Sequence, residues 1–240
     1  RILTAAHLYA SQWEFHLIKP LNGFDDEMDD IDLSFVERLD TFRDLRGMET
    51  ILTPNTALAK LANLCGQLRF QIRWTQAPRI PATSVLGHMF IVAAFAYFFS
   101  LSVDACTARA NNNFFCGLFH DLPELLTRDI ISPVKQSVAS LPLIIKEYEG
   151  AELERRIFRP LREQGFGPLV ERISYYLGLS VGSEFQECRR EGGRIIKVDG
   201  FEALQRGCNR DTLDPKDGHM LKICDWLAAF LEAHSSIRNG

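Results

Sequence analysis

The chain has 240 residues, of which 46% are hydrophobic and 24% charged, and it carries a formal net charge of −4 with a pI near 5.9. This length suits one large domain or one domain with extensions, and the apolar content is enough for a substantial core. The acidic balance argues against a nucleic-acid partner, because nucleic-acid-binding surfaces are normally basic, but it is compatible with a local cationic pocket for a small anionic substrate.

The six cysteines form no CxxC pair, and a chain of this size does not need disulfide bonds for stability. We therefore expect reduced thiols in a cytoplasmic protein. The sequence begins with Arg1 and contains no signal-peptide pattern. Its longest apolar run, residues 89–99, is shorter than the roughly 18 residues that cross a bilayer, so it predicts a buried core helix and no membrane partner.

Residues 1–50 predict a helical N-terminal extension, and residues 51–240 are assigned to the main domain. The acidic run at residues 25–32 predicts a solvated loop or the start of a helix in preference to a cation site, because negative charge is favourable at a helix N-terminus.

The first helix of the main domain is predicted to begin at Thr53 and Pro54, since threonine is a good N-cap and proline suits the first helical position. Leucines at helical spacing extend this helix to about Trp74. Arg73, near the predicted end, is a candidate phosphate ligand because a guanidinium matches phosphate oxygens, and the alternative is an ordinary surface arginine.

The next predicted helix carries a histidine in its first turn. Thr83 or Ser84 is the predicted cap, His88 lies one turn in, and the apolar run follows. A histidine on an apolar helix is usually a core residue with a hydrogen-bond partner. Its place at the polar start of the helix leaves a metal-ligand role open.

The most informative stretch is residues 118–135, LFHDLPELLTRDIISPVK, which follows an apolar helical run. His120 and Asp121 offer an imidazole nitrogen and a carboxylate oxygen side by side, and these suit a borderline divalent metal. Pro123 predicts a kink or a restart of the helix, because it lacks the N–H that a helix interior needs. Glu124, four residues after His120, shares its face if the kink is mild.

Two further signals lie in the C-terminal part. In residues 183–200, two β-compatible runs flank Glu191-Gly192-Gly193, which predicts an antiparallel hairpin. A last helix is predicted over residues 219–234, with Asp225 on it. A carboxylate buried there costs several kcal/mol without a partner, so a metal ion or a salt bridge to an arginine is expected. The predicted apolar surface of this helix consists of Leu221, Cys224, Trp226, Leu227, Phe230 and Leu231.

The order His88, His120-Asp121, Asp225 resembles the H…HD…D pattern of the HD-domain metal-dependent phosphohydrolases. Other segments are similar to the YfbR-like 5'-deoxynucleotidase branch of that superfamily. They are Arg73-Trp74, the pattern HDxxExxTxD followed by PVK at 133–135, and KICDWLAAFLE at 222–232. The similarity covers roughly residues 57–149 and 219–232, in the family's order.

The resemblance implies an all-α helical bundle, to which the residues of this chain add a predicted N-terminal helical extension and a short β-hairpin insertion. It implies one divalent ion, commonly manganese, cobalt or magnesium, held by His88, His120, Asp121 and Asp225. Glu124 would handle the attacking water. Family members are often homodimers, so a homodimer is expected.

The resemblance also implies a nucleotide-like phosphate substrate and the residues that contact it. Arg73 would hold the phosphate, and Lys135 is a second candidate for neutralising its charge. Trp74 would crowd the sugar against a 2'-hydroxyl, and Asp129 would contact the nucleoside. Thr127 is a further candidate substrate-binding residue.

The implied reaction is hydrolysis of a nucleoside 5'-monophosphate to nucleoside and phosphate, with deoxynucleotides preferred. Alternatives are another HD phosphohydrolase reaction, on a cyclic nucleotide, an alarmone or a nucleoside triphosphate, and a non-catalytic nucleotide-sensing protein. Glu124 and Arg73 favour the enzyme, because a sensor does not need a carboxylate to handle water. The sequence departs from the pattern at Gly87 and Met89, in its extra N-terminal residues, and in the long stretch between Pro133 and Asp225.

Overall fold

The computed structural model describes residues 1–22, 26–75, 77, 79–127 and 138–239. The chain divides into two compact units, Arg1–Asn63 and Leu64–Gly240. The first unit contains helices α1 (Ile2–Ile18), α2 (Asp26–Asp40) and α3 (Met48–Leu52), and helix α4 (Ala57–Gln67) begins in it. Its buried core consists of Ala5, Leu8, Leu39 and Met48.

The start of α4 differs from the prediction at Thr53 and Pro54. Asn55 has a positive φ of 66°, which interrupts the helical backbone before α4 can begin. Thr56 is the actual cap, since its hydroxyl accepts a 3.2 Å hydrogen bond from the Ala59 N–H. The helix ends at Gln67 rather than near Trp74. The later residues of the predicted helix therefore lie in a connecting segment.

The second unit is mostly helical, and its long helices supply the core. The elements are α5 (Val85–Ser102), α6 (Thr107–Phe119), α7 (Glu124–Thr127), α8 (Leu141–Leu153), α9 (Arg159–Glu163), α10 (Gly167–Tyr176), α11 (Gly200–Ala203) and α12 (Gly218–Asn239), with short 3₁₀ and π-helical turns between some of them. Buried residues from α5, α6, α10 and α12 form one apolar cluster that includes Val92, Cys116, Tyr175 and Cys224.

The predicted hairpin is present. Strands β1 (Cys188–Glu191) and β2 (Arg194–Lys197) pair in antiparallel register, with Glu191 opposite Arg194. The turn residues Gly192 and Gly193 have φ values of 57° and 76°, a conformation that glycine adopts without strain. Cys188 is fully buried in the main apolar cluster, so the hairpin packs into the core rather than standing apart from it. The predicted all-α class with one small hairpin is confirmed.

Helix α5 is longer than the apolar run that predicted it. Its 18 residues have a mean hydropathy of 1.8, so by length and composition it is long enough to cross a membrane, and 39% of it is buried inside the protein. By its length, α5 is therefore not too short to span a bilayer, contrary to the prediction from its apolar run.

The apolar surface predicted for the last helix is divided between two faces. Leu221 and Cys224 are buried in the main cluster, whereas Trp226 and Phe230 are 61% and 63% exposed. The six cysteines are free.

Candidate metal centre

Three helices bring the four predicted metal ligands together. His88 lies in the first turn of α5, which begins where Ser84 accepts a 3.0 Å hydrogen bond from the N–H three residues on. His120 and Asp121 follow directly after α6, and Asp225 lies on α12. Side chains that are far apart in the sequence therefore face a common space.

The close approach of α5 and α6 depends on a glycine. A Cβ at Gly117 would lie only 2.6 Å from the Cα and N atoms of Ala93 on α5, so any larger residue would push the helices apart. With glycine there, the rings of His88 and His120 come within 5.4 Å of each other, measured between centroids.

Both histidines present the same nitrogen to this space. His88 Nδ1 donates to Glu232 Oε1 at 2.9 Å, and His120 Nδ1 donates to the Gly117 carbonyl oxygen at 2.8 Å. Because a carboxylate and a carbonyl only accept, each Nδ1 carries a hydrogen. The two Nε2 atoms are consequently oriented toward the carboxylates of Asp121 and Asp225.

The distances among these atoms are those of a compact ligand set. His88 Nε2 lies 3.2 Å from Asp225 Oδ1 and 3.8 Å from Asp121 Oδ2. His120 Nε2 lies 3.2 Å from Asp121 Oδ2 and 4.0 Å from Asp225 Oδ1. Ligands that each bind one ion at about 2.1 Å are separated by roughly 3–4 Å. The geometry therefore suits a single ion.

The charges gathered in the cluster shift the pKa values of its histidine and aspartate side chains. Burial lowers the pKa of His120, but the carboxylates of Asp121 and Asp225 together outweigh it and raise the pKa to about 9. Burial favours the neutral form of Asp121, yet His120, His88 and Arg73 hold its pKa well below the usual range. The pKa of Asp225 is also lowered, because its hydrogen bond to His88 and the charge of His120 outweigh burial. Concentrated negative charge thus draws a proton to His120.

The residues present fit a divalent ion on two grounds. The carboxylates of Asp121, Asp225 and Glu232 outnumber the permanently charged cations that contact them in the described part of the chain, Arg73 and Lys222, and this excess draws a proton to His120. In addition, His120 Nε2 is buried and makes no hydrogen bond of acceptable geometry to any described residue. Two imidazoles and two carboxylates are a suitable donor set for a borderline divalent metal.

Arg73 and Trp74 lie in the segment between α4 and α5. Arg73 N–H donates to the Thr83 carbonyl oxygen at 2.9 Å, which ties this segment to the residues just before α5. The Arg73 guanidinium Nη1 lies 3.1 Å from Asp121 Oδ2, beside the candidate ligands. The Trp74 indole N–H donates to Glu232 Oε2 at 2.9 Å. Both residues are therefore at the site, although the helix predicted to carry them ends earlier.

Glu124 and Thr127 are the first and last residues of α7, which follows His120 and Asp121 in the chain. Pro123 ends the preceding turn and Glu124 begins α7, which agrees with the predicted restart. Glu124 is buried and, together with His120 and Asp121, lines a cleft of about 200 Å³. The Thr127 hydroxyl donates to Glu149 on α8 at 2.8 Å. The predicted substrate residues Asp129 and Lys135 lie outside the described residues.

Apolar and charged groups share the cleft beside Glu124. Helix α8 supplies Ile145, Lys146 and Leu153, and the segment after α10 supplies Leu177 and Glu184. The cleft thus extends from the candidate ligands His120 and Asp121 to both apolar and charged side chains, which suits an organic group attached to a phosphate.

A comparison with protein families identifies the fold. The family model described as HD domain matches residues 65–240. The chain belongs to the HD-domain family. HD domains are generally metal-dependent phosphohydrolases that bind divalent metal ions, in agreement with the side chains gathered here. No match was found among curated proteins or among solved structures.

One residue of this HD domain was missed by the sequence reasoning. Glu232 contacts His88, Trp74 and Arg73. Its pKa is lowered, because hydrogen bonds from His88 and Trp74 and the charge of Arg73 outweigh burial. A signal was present, since Glu232 follows Asp225 by seven residues and two helical turns place both on one face.

Proposed function

We propose that this HD domain hydrolyses nucleoside 5'-monophosphates to nucleoside and phosphate, with deoxynucleotides preferred. The observation that carries the proposal is the Arg73 guanidinium, 3.1 Å from the candidate ligand Asp121, because a phosphate bound at the ligands is then within reach of a bidentate donor. The similarity of Arg73-Trp74 and of the segment around His120 to the YfbR-like 5'-deoxynucleotidases supports the same substrate class.

In this proposal His88, His120, Asp121 and Asp225 hold one divalent ion, such as manganese, cobalt or magnesium. When bound, such an ion lowers the pKa of a coordinated water and polarises a phosphoryl oxygen. The two Nδ1 hydrogen bonds keep the imidazoles oriented for this task.

The remaining steps fall to residues of the chain itself. Glu124 accepts the proton of the attacking water, and its burial beside Asp121 in the same cleft supports this role. Arg73 stabilises the negative charge that develops on the phosphate. Lys135 is proposed as a second cation for that charge.

The cleft beside Glu124 is proposed to hold the nucleoside. Its apolar residues, among them Leu153 and Leu177, offer a surface for a base or sugar, and Glu184 offers an acceptor for its N–H or O–H groups. Thr127, the last residue of α7, is proposed to contact the nucleoside, and so is Asp129. Trp74 is proposed to crowd the sugar against a 2'-hydroxyl.

A homodimer is part of the same proposal. Phe90 on α5 is 59% exposed, and it lines a groove of about 440 Å³ with Ile91 and with Leu231 on α12. Phe230, which is 63% exposed, lies next to Leu231 in the chain. Exposed apolar surface of this kind often marks a protein interface. Light scattering should give the mass of a dimer for the natural chain and of a monomer for Phe90→Asp; a monomeric natural chain would contradict this part.

Phosphate release from a panel of nucleotides, with several divalent ions, tests the reaction. We expect release from nucleoside 5'-monophosphates, faster from the deoxy forms, and its loss in Asp121→Asn. Release only from cyclic nucleotides, alarmones or triphosphates would replace the proposed substrate, and no release from any of them would favour a sensor.

Replacing Trp74 with Ala tests the sugar preference. If the indole crowds the 2'-hydroxyl, the variant should raise the rate on ribonucleotides relative to deoxyribonucleotides. The measurement is the ratio of the two kcat/KM values, and an unchanged ratio would remove Trp74 from the specificity mechanism.

A further inference from the structure

Glu232 is a buried carboxylate that faces two parts of the site at once. Its Oε1 accepts the hydrogen bond from His88 Nδ1 at 2.9 Å. Its Oε2 accepts the Trp74 indole N–H at 2.9 Å and lies 3.5 Å from Arg73 Nε. One oxygen therefore serves a candidate metal ligand, and the other serves the two residues proposed to contact phosphate and sugar.

On the metal side, Glu232 sets the orientation of His88. Because Nδ1 donates to Glu232, His88 Nε2 points to the space shared with Asp225, 3.2 Å away. A carboxylate behind a ligating histidine orients the ring and makes it a stronger ligand. His120 is held in the same way by a neutral carbonyl, that of Gly117, so Glu232 is the charged support of the pair.

On the substrate side, Glu232 holds a strained residue in place. Trp74 has a φ of +60°, a left-handed conformation that is rare for a bulky side chain and persists only when surrounding contacts impose it. Two of those contacts are the indole hydrogen bond to Glu232 and the guanidinium of Arg79, 4.3 Å from the centre of the ring. Arg73 is the residue directly before Trp74, and its backbone N–H donates to the Thr83 carbonyl oxygen at 2.9 Å, so both residues are held in one short segment.

We propose that Glu232 is a positioning residue that couples ion binding at His88 to the placement of Arg73 and Trp74 for phosphate. This inference rests on the proposed function for the identity of the anion, but the coupling itself requires no turnover. An ion bound by His88 and a phosphate bound by Arg73 both depend on one carboxylate. If the bound ion raises the affinity for phosphate through this carboxylate, bound phosphate raises the affinity for the ion by the same factor.

The proposal requires a carboxylate at this position. An ionised carboxylate accepts hydrogen bonds at both oxygens, whereas the amide of glutamine accepts at one and donates at the other. Glu232→Gln can therefore satisfy His88 or Trp74 but not both. Trp74→Phe removes only the indole donor and leaves the contact between Glu232 and His88 in place.

Calorimetric titration separates the two effects. Mn²⁺ is titrated into the natural chain, Glu232→Gln and Trp74→Phe, and inorganic phosphate is then titrated into each both without Mn²⁺ and at saturating Mn²⁺. We expect Glu232→Gln to bind Mn²⁺ about 10–100-fold more weakly, as for other residues that support a metal ligand, and to bind phosphate more weakly as well. Trp74→Phe should retain the Mn²⁺ affinity and lose phosphate affinity. Glu202→Gln, which alters a carboxylate that is 73% exposed, is the control and should change neither.

Natural affinities for both Mn²⁺ and phosphate in Glu232→Gln would overturn the proposal, even if the variant melts at a lower temperature. A loss of Mn²⁺ affinity with natural phosphate affinity would overturn the coupling. If Glu232→Gln does not fold, Glu232→Asp is used instead, since its shorter side chain retains both acceptor oxygens. Weakened binding of Mn²⁺ and phosphate by Glu232→Asp would support the proposal. Natural affinities for both would overturn it. If the natural chain hydrolyses no nucleotide but the binding pattern holds, the proposed function fails and the role of Glu232 stands.

Discussion

Two buried polar clusters in the same helical unit are built on opposite principles. The Arg109 cluster, made of Arg109, Asp217, Asn113 and Ser100, pairs one cation with one carboxylate at 2.7 Å, both almost fully buried. The other Asp217 oxygen accepts an N–H of the first turn of α12, Asn113 accepts the Asp217 N–H, and Asn113 donates to Ser100. Its charge is balanced and its carboxylate is paired at both oxygens.

The metal cluster, made of His88, His120, Asp121, Asp225 and Glu232, lacks that balance. It concentrates carboxylates, leaves His120 Nε2 without a good hydrogen bond among the described residues, and raises the pKa of His120 to about 9. Buried like charges destabilise a fold unless something offsets them. The contrast teaches that the Arg109 cluster maintains the structure, whereas the metal cluster is arranged to receive a cation.

The contrast is tested most strongly by Glu124→Gln, which should lose activity and retain structure. Glutamine keeps the size of the side chain but cannot accept a proton at neutral pH, so kcat should fall by about 10²–10⁴-fold while the bound metal is retained. Turnover and metal content are measured independently. In Asp121→Asn, by comparison, metal and turnover should fall together. Purification of Glu124→Gln without metal would make Glu124 a ligand instead.

Arg109→Met should have the opposite effect: it should lower the stability of the fold and leave metal binding unchanged. Removal of the cation leaves Asp217 buried and unpaired, so the free energy of unfolding should fall by about 3–5 kcal/mol. Denaturant unfolding measures this. Arg206→Met, at an arginine whose side chain is 82% exposed, is the control and should show no measurable loss. A small effect of Arg109→Met would remove the contrast between the clusters.

Gly117→Ala should have an intermediate effect on stability, because Gly117 lies where α5 and α6 are in contact. The added methyl would lie 2.6 Å from the backbone of Ala93, so we expect a loss of about 1–3 kcal/mol in stability together with weaker metal binding. Gly150→Ala is a matched control within α8, since nothing lies within 4 Å of the new methyl. It should be neutral or stabilising.

The smallest effect is expected for Ser84→Ala, which removes the cap at the start of α5. Loss of the side-chain hydrogen bond to the first turn should cost about 1 kcal/mol in the free energy of unfolding. Ser84→Asp retains an acceptor and should restore most of it. A loss in the aspartate variant equal to that in the alanine variant would show that the cap does not stabilise the helix that carries His88.

Much of the fold was predictable because its signals are local. The period of apolar residues, the cap at Ser84 and the turn at Gly192-Gly193 are each encoded within a few residues. The end of α4 was predicted wrongly, because the leucine spacing continues past Gln67 while the chain turns to meet the residues before α5. Such a contact is not visible in a local pattern.

The site was predictable to a different extent. The adjacent His120 and Asp121 were candidate ligands from the residues alone, His88 and Asp225 had open roles, and the resemblance made all four the expected ligands. Glu232 was missed because its role depends on contacts to residues roughly 150 positions away, His88 and Trp74, which only the packed structure brings together. Its two-turn spacing from Asp225 was the available signal.

The central claim, that the metal cluster receives a divalent ion, is tested most directly by denaturant unfolding with and without Mn²⁺ for the natural chain and for His120→Asn. An ion that binds only the folded state at 100 times its Kd should stabilise the natural chain by about 2.7 kcal/mol, and the gain should disappear with a chelator. His120→Asn should gain little or nothing. A natural chain that unfolds identically with and without the ion, or an equal gain in His120→Asn, would contradict the account.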